Sequence, residues 1–375
     1  MRMTPNIWKS SRDLMMDGRG PVCRLPKLVV AALMVASFSW DCLLPQARAE
    51  VPGAKVVTRI ALGSCANQDR KQEIWDSILA ESPDLFLFLG DNVYADTEDM
   101  EEMRAAYQKL AEKPGFAKLR ETCPILGTWD DHDYGVNDGG KEYPKRKEAA
   151  EVFHEFFRTP VDSPSRKREG IYSVHYFPGA GGQRVQVLLL DTRYFRDAPR
   201  KLPNRSADGP YSENWDPEAT ILGTEQWDWL AKQLSEPAAL RIIGSSIQVL
   251  PQDHRWERWE NFPVERRRLL ELLAKKETGP VIFVSGDRHM GEIMALSTED
   301  PLSPGFPVYE LTSSGLTNAG GGRRGEVNRH RVGKTNFQSR NFGLLQIDWS
   351  RQVVTMELRD IEGNVVDSFP APFGK

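Results

Sequence analysis

The chain has 375 residues, of which 40% are hydrophobic and 27% charged, a balance that excludes disordered and fibrous classes. Its 49 basic and 53 acidic residues leave a formal net charge of −4, which argues against a general polyanion binder and against a stable nucleic acid partner. The length allows one large α/β domain or two smaller ones.

The first fifty residues differ from the rest. Arg24 and Lys27 precede the apolar run Leu28 to Phe38, and Ala47-Arg48-Ala49 follows. A positive flank, a short apolar segment and an A-x-A site predict a secretory signal peptide over residues 1–49, cleaved after Ala49. The apolar stretch is too short to span a bilayer comfortably. Export is therefore expected, with no membrane attachment after cleavage. Cleavage would remove Cys23 and Cys42 and leave Cys65 and Cys123.

Along the remaining chain, Val56 to Leu62 reads as a strand, followed by a helix from Arg70 to Ala80. Asp84 to Leu89 is a continuous apolar strand, as expected for burial on both faces. A helix over Asp99 to Lys113 leads to the strand at Pro124 to Trp129. This β-α-β order predicts a parallel sheet. Lys147 to Arg158 reads as a helix. Ile171 to Phe177 and Val185 to Leu190 read as an antiparallel pair across Gly179 to Gly182. Pro199 to Gly223 is polar and reads as a long loop. A helix near Glu225 to Leu234 precedes a strand at Arg241 to Ser245, and a helix at Val264 to Lys275 precedes one at Pro280 to Ser285. Strands follow at Val308 to Thr312, Gly343 to Trp349 and Val353 to Arg359. Thr317 to Asn341 is a basic, glycine-containing loop. With no internal repeat or linker, residues 50–375 read as one catalytic domain.

Polar clusters recur where these strands end: Ser64-Cys65, Gly90-Asp91 with Tyr94, Asp130-Asp131-His132-Asp133, Asp191-Thr192-Arg193, and Gly286-Asp287-Arg288-His289. In open α/β sheets ligands bind outside the carboxyl ends of the strands. If the strands are parallel, the clusters meet at one edge. Each pair of like charges about 4 Å apart costs roughly 4 kcal/mol at an effective dielectric near 20, so converging carboxylates call for cations. A thiolate with a phenolate suits iron or a similar metal, and carboxylates suit a hard divalent partner. Taken singly, each cluster also reads as a turn, a core residue or a packed aromatic. Their repetition at strand ends favours a metal site.

The same topology bears on the two cysteines. Cys65 follows its strand and Cys123 precedes another. Parallel six-residue strands place them about 20 Å apart, whereas a disulfide needs Cα atoms within about 7 Å. Cys65 is read as a ligand and Cys123 as structural.

The elements Gly63-Ser64-Cys65, Gly90-Asp91-Asn92-Val93-Tyr94, Trp129-Asp130-Asp131-His132-Asp133, Leu190-Asp191-Thr192-Arg193, Ser285-Gly286-Asp287-Arg288-His289 and Asn341-Phe342-Gly343 resemble the alkaline phosphatase D (PhoD-like) family of calcineurin-like metallophosphoesterases. The resemblance runs from about Ile60 to Arg359. It implies a four-layer α/β/β/α sandwich with mixed sheets, and a phosphate ester as substrate. It also implies iron (Fe3+) with calcium, other divalent metals being alternatives. Cys65, Asp91, Tyr94 and His289 become candidate iron ligands, with Asp91 bridging. Asp131, Asp130 and Asp287 become candidates for calcium. Neighbours on an extended segment face opposite ways, so the choice between Asp130 and Asp131 stays open here. His132 is implied as proton donor or phosphate contact. Arg193 is read as a phosphate clamp or, equally, as a structural partner of Asp191. Asp133 is expected to position His132 or cap the turn. The short stretch between the expected cleavage site and the first strand leads to the expectation that an additional β-sandwich domain known in the family is missing here.

The expected activity is an exported, metal-dependent phosphoesterase acting on phosphomonoesters or phosphodiesters through water activated at the metals. The rivals are a diesterase for surface polymers or lipids and a non-catalytic exported binding protein on the same fold. Arg323, Arg324, Arg329 and Arg331 read either as a contact for extended anions or as a solvated basic surface. Oligomeric state is not encoded in any readable pattern.

Overall fold

The computed structural model describes residues 55–321, 325–334 and 336–374. The signal segment, the cleavage boundary at Ala49, Cys23, Cys42, Arg323 and Arg324 lie outside the described residues.

The first half of the chain lays down β1 (Arg59–Gly63), α1 (Ile74–Ala80), β2 (Leu85–Leu89), α2 (Met100–Ala111), α3 (Pro114–Thr122), β3 (Ile125–Thr128), the single turn α4 (Asp131–Tyr134) and α5 (Arg146–Phe156). Then come β4 (Ser173–Pro178), β5 (Arg184–Leu189), β6 (Arg200–Ser206), β7 (Gly209–Ser212), α6 (Gly223–Gln233), β8 (Leu240–Ser245), α7 (Pro263–Lys275) and β9 (Val281–Ser285). The chain ends in β10 (Gly291–Leu296), β11 (Val308–Ser313), β12 (Asn341–Asp348), β13 (Val353–Asp360) and β14 (Val365–Pro372).

Two six-stranded sheets result, in the orders β14-β13-β12-β1-β2-β3 and β10-β11-β9-β8-β5-β4. Both are mixed. Strands β1, β2 and β3 run parallel, as do β5, β8, β9 and β11, with antiparallel strands towards the edges. The expected four-layer α/β/β/α sandwich is present, and the sequence of β2 shows why. Leu85, Leu87 and Leu89 point into the layer between the sheets, while Phe86 and Phe88 pack on α1 and α3 through Trp75 and Phe116. Side chains on a strand alternate faces, so a strand covered on both sides must be apolar throughout. Strand β9 divides likewise: Ile282 and Val284 go to the inter-sheet layer, Val281 and Phe283 to the layer under α6 and α7.

Several boundaries differ from expectation. The helix expected over Asp99 to Lys113 is present as α2, and an unanticipated second helix, α3, starts at Pro114, a residue well placed at a first helical turn. Residues 199–223 are not a plain loop, because β6 and β7 pair there as a hairpin. Strands β10 and β14 were not anticipated. Strand β14 contains Pro370 and Pro372 and lies at the sheet edge, where proline is tolerated. Among the described residues, no helix is long and apolar enough to cross a membrane. Cys65 and Cys123 are both free and buried, as the parallel order of β1, β2 and β3 required.

Candidate metal centre

The parallel strands point their carboxyl ends to one place. Cys65 follows β1, Asp91 and Tyr94 follow β2, Asp130 to Asp133 follow β3, and Asp287 and His289 follow β9. Cys65, Asp91, Asp287 and His289 all have left-handed backbones, with φ of 62°, 49°, 69° and 52°. Such conformations cost about 1–3 kcal/mol each in residues other than glycine and concentrate at functional sites. Gly90, at φ 94°, permits the close approach of β2 to β3: a Cβ there would lie 2.4 Å from the Cβ of Asp130.

The side chains form a connected set. The Tyr94 hydroxyl donates to Asp91 Oδ2 at 3.0 Å and lies 3.0 Å from His289 Nε2. Cys65 Sγ sits 3.4 Å from the same Asp91 oxygen and 3.1 Å from Ser314 Oγ. Ligand atoms of Cys65, Asp91 and His289 fall within 4.8 Å of one another, as do those of Asp91, Asp131 and His132. Asp91 belongs to both groups and so occupies the bridging place.

The electrostatics match this donor set. Burial pushes the Cys65 thiol up to about 12. Burial, then Cys65 and the neighbouring aspartates, raise Asp91 well above the usual carboxylate range. Burial and Asp91 do the same to Tyr94. Burial also lowers His289 to about 4, leaving it neutral, the form in which imidazole ligates. Asp91 Oδ1 is buried without a hydrogen-bond partner among the described residues. A buried acceptor normally has one. An orphaned oxygen beside a thiol, a phenol and a neutral imidazole fits a cation.

The adjacent aspartates take different positions. Asp130 is extended and serves as the N-cap of α4, with Asp131 starting the turn. Asp131 lines the cavity; its Oδ1 accepts from the amide of His132 and its Oδ2 from that of Asp138. Burial disfavours its charge, but Arg193 and His132 outweigh that and hold it at about 2. Asp130 points into the protein, where Oδ1 accepts from Arg193 Nε and Ser246 Oγ, each at 2.6 Å. It is thus committed to Arg193, although its Oδ2 is unpartnered among the described residues. Asp287 lines the cavity with Asp131, and burial and its acidic neighbours raise it well above the carboxylate range.

Arg193 requires a correction. Its guanidinium is fully buried, pairs with Asp130 and bidentately with Glu257, and also reaches Gly139 O. It does not line the cavity and has no donor free for a phosphate. Nor is Asp191 its side-chain partner: that carboxylate accepts from Trp129 Nε1 and from the amides of Ile171, Arg193 and Tyr194.

His132 Nδ1 lies 2.7 Å from Asp96 Oδ2, which leaves Nε2 for other contacts. Its ring lies beside that of Tyr94, with centroids 4.3 Å apart. Burial lowers its pKa, but the Asp96 hydrogen bond and the charge of Asp131 prevail and bring it to about 9. Asp133 accepts from the amides of Asp91, Asn92 and Asp130, from Asn92 Nδ2 and from the Tyr107 hydroxyl. It ties the loops after β2 and β3 together and caps the turn.

Three acidic residues of the site went unnoticed in the sequence: Asp96, Asp138 and Glu257. Ligand atoms of Asp138, Glu257 and Asp131 lie within 4.8 Å of one another. Asp138 stands seven residues after Asp131 in the same loop, a spacing that could have drawn attention to it. Glu257 lies in His254-Arg255-Trp256-Glu257, which carries no periodic signal. In the basic loop, Arg329 pairs with Asp253 and Arg331 with Glu292, so neither is a free cation.

A family model described as PhoD-like phosphatase matches residues 60–358. The chain belongs to the PhoD-like phosphatase family. Alkaline phosphatase D of Bacillus subtilis (strain 168) is 21% identical over 328 residues, which cover 76% of this chain and 55% of that protein. The chain thus spans about half the length of the curated relative it matches. The solved structure of PhoD superposes with a TM-score of 0.68 at 19% identity, covering 85% of this chain and 70% of that one. The likeness extends the PhoD-like fold across both sheets.

Proposed function

We propose that this PhoD-like chain is a metal-dependent phosphoric ester hydrolase. The observation that carries the reading is the bridging place of Asp91, between Cys65, Tyr94 and His289 on one side and Asp131 and His132 on the other. Cys65, Asp91, Tyr94 and His289 would hold a trivalent iron, and Asp91, Asp131 and Asp287 a hard divalent cation such as calcium. Bound there, the metals supply Lewis acidity towards the phosphoryl oxygen and an acidified water.

The chain's own residues do the rest. Asp91, Asp131 and Asp287 set the negative charge that fixes the cations. His132, held by Asp96 and protonated at neutral pH, is placed to give its Nε2 proton to the departing oxygen. Arg193, behind Asp130 and Glu257, compensates buried carboxylates and keeps the floor of the site rigid. The apolar run before Ala49 supports export as a secretory precursor. The phosphoesterase reading leaves open both mono- and diester substrates.

Elemental analysis of the purified protein, alongside assays with aryl phosphate mono- and diesters, tests the proposal. Iron and calcium should copurify, and Asp91→Ala should lose both metals and turnover. Undiminished activity in that variant would refute the site.

A further inference from the structure

The cavity of about 390 Å³ has an acidic floor and a different rim. Its outer wall is made by Arg205, Pro210 and Tyr211 of the β6–β7 hairpin together with Trp256 and Arg288. The hairpin is pinned in place. Gly209 packs so tightly on Arg255 that a Cβ would lie 2.2 Å from its carbonyl carbon. Tyr211 N donates to Arg255 O at 3.0 Å, Arg255 N donates to Asp208 O at 2.6 Å, and the Tyr211 hydroxyl bonds Asp138. The rim is therefore fixed to the floor through Asp138.

Two guanidinium groups lie on the Trp256 ring, Arg205 at 5.0 Å and Arg288 at 6.0 Å from its centroid. They differ in their other partners. Arg288 is buried and paired with both Glu326 oxygens at 3.1 Å. Arg205 is exposed, and among the described residues it makes no ion pair. Stacking on an indole holds a guanidinium in place without satisfying its N–H donors. A planar fork of donors lining the same cavity as the candidate metal residues is suited to a bidentate oxyanion. With two cations already on it, the indole is not a bare platform for a nucleobase.

We propose that Arg205, braced on Trp256, is a specificity-determining residue that binds a second oxyanion of the substrate beyond the reacting phosphate. The proposal rests on the phosphoesterase reading and narrows its substrate class to molecules with a further phosphate or carboxylate near the scissile ester, as in diphosphates and phosphate-linked chains. Tyr211 and Asp138 act as positioning residues for this wall.

Calorimetric titration of the metal-loaded protein with inorganic phosphate, methylenebisphosphonate and phosphonoacetate tests this. A second oxyanion that gains a charge-assisted pair should tighten binding about tenfold or more over phosphate. Arg205→Ala should remove that advantage while leaving the affinity for inorganic phosphate within about twofold, and Arg205→Lys should restore part of it, as expected for a charge without the planar fork. A gain with methylenebisphosphonate alone assigns the subsite to phosphate; a gain with phosphonoacetate as well admits a carboxylate. An advantage that survives Arg205→Ala, or no advantage with either ligand, overturns the proposal. Hydrolysis of an aryl monophosphate is measured in parallel. Turnover without the second-oxyanion advantage rejects the subsite alone, whereas Arg205-dependent binding without turnover rejects the hydrolase reading alone.

Discussion

At the scale of single residues, the His132–Asp96 pair makes the sharpest claim. His132→Asn should lower kcat by about 10²–10⁴-fold for an alkyl phosphate, and much less for an aryl phosphate, whose leaving group needs no proton. In the wild type the imidazole keeps its proton up to about pH 9. A group acting as an acid works below its pKa, so activity should decline as pH rises through about 9. Asp96→Asn removes the hydrogen bond that opposes burial and should move this descending limb to lower pH. A limb that stays in place in the pH–rate profile would reject the pairing.

Residue scale is also where the sequence was most and least informative. Cys65, Asp91, Asp131 and His289 stood out because each directly follows an apolar strand, and all of them reach the site. Asp96 did not: in Asp96-Thr97-Glu98-Asp99 it reads as the acidic approach to a helix, and only its left-handed backbone at φ 47° turns it towards His132. In the sequence Arg193 stays open between phosphate clamp and structural ion pair. A guanidinium beside acidic motifs fits a phosphate equally well, and only its complete burial against Asp130 and Glu257 decides between substrate and scaffold.

At the scale of elements, Asp133 joins what the strands bring near. Its carboxyl, raised by burial to about 7, receives donors from the loops after β2 and β3 and from Tyr107 on α2. Asp133→Ala would orphan several buried donors at about 1–3 kcal/mol each. Unfolding in urea should show a loss of about 3 kcal/mol or more, with metal content falling as Asp91 loses its backbone anchor. A loss below about 1 kcal/mol would show that the loops are held by other contacts. Elements were legible where packing dictates composition. LFLFL could only be a strand covered on both faces, but the mostly exposed β6, RKLPNRS, offers no alternation because little of it is buried.

At the scale of the whole molecule, two sheets share one inner layer and converge on a floor of carboxylates. Cations bound only by the folded state stabilise it, by about 2.7 kcal/mol at a hundred times their Kd. Removing them with a chelator should lower Tm by about 5 °C or more. Asp131→Asn, which removes one candidate ligand for the divalent cation, should narrow the gap between the chelated and loaded forms. Differential scanning calorimetry of the four samples checks this, and equal Tm with and without chelator would argue against a cation-filled floor.

The separation in sequence of the residues that meet around Cys65 has a temporal side. Its sulfur contacts Ser314, 249 residues later, its carbonyl accepts from the amides of Thr317 and Asn318, and His289 arrives through the Tyr94 hydroxyl. Chains emerge from the ribosome N-terminus first, at about 5–20 residues per second, so Cys65 is made many seconds before its last neighbours. No nascent chain lacking β11 can close the pocket. A cation that needs this pocket would therefore find it only after the second sheet has docked, late in the folding of the chain.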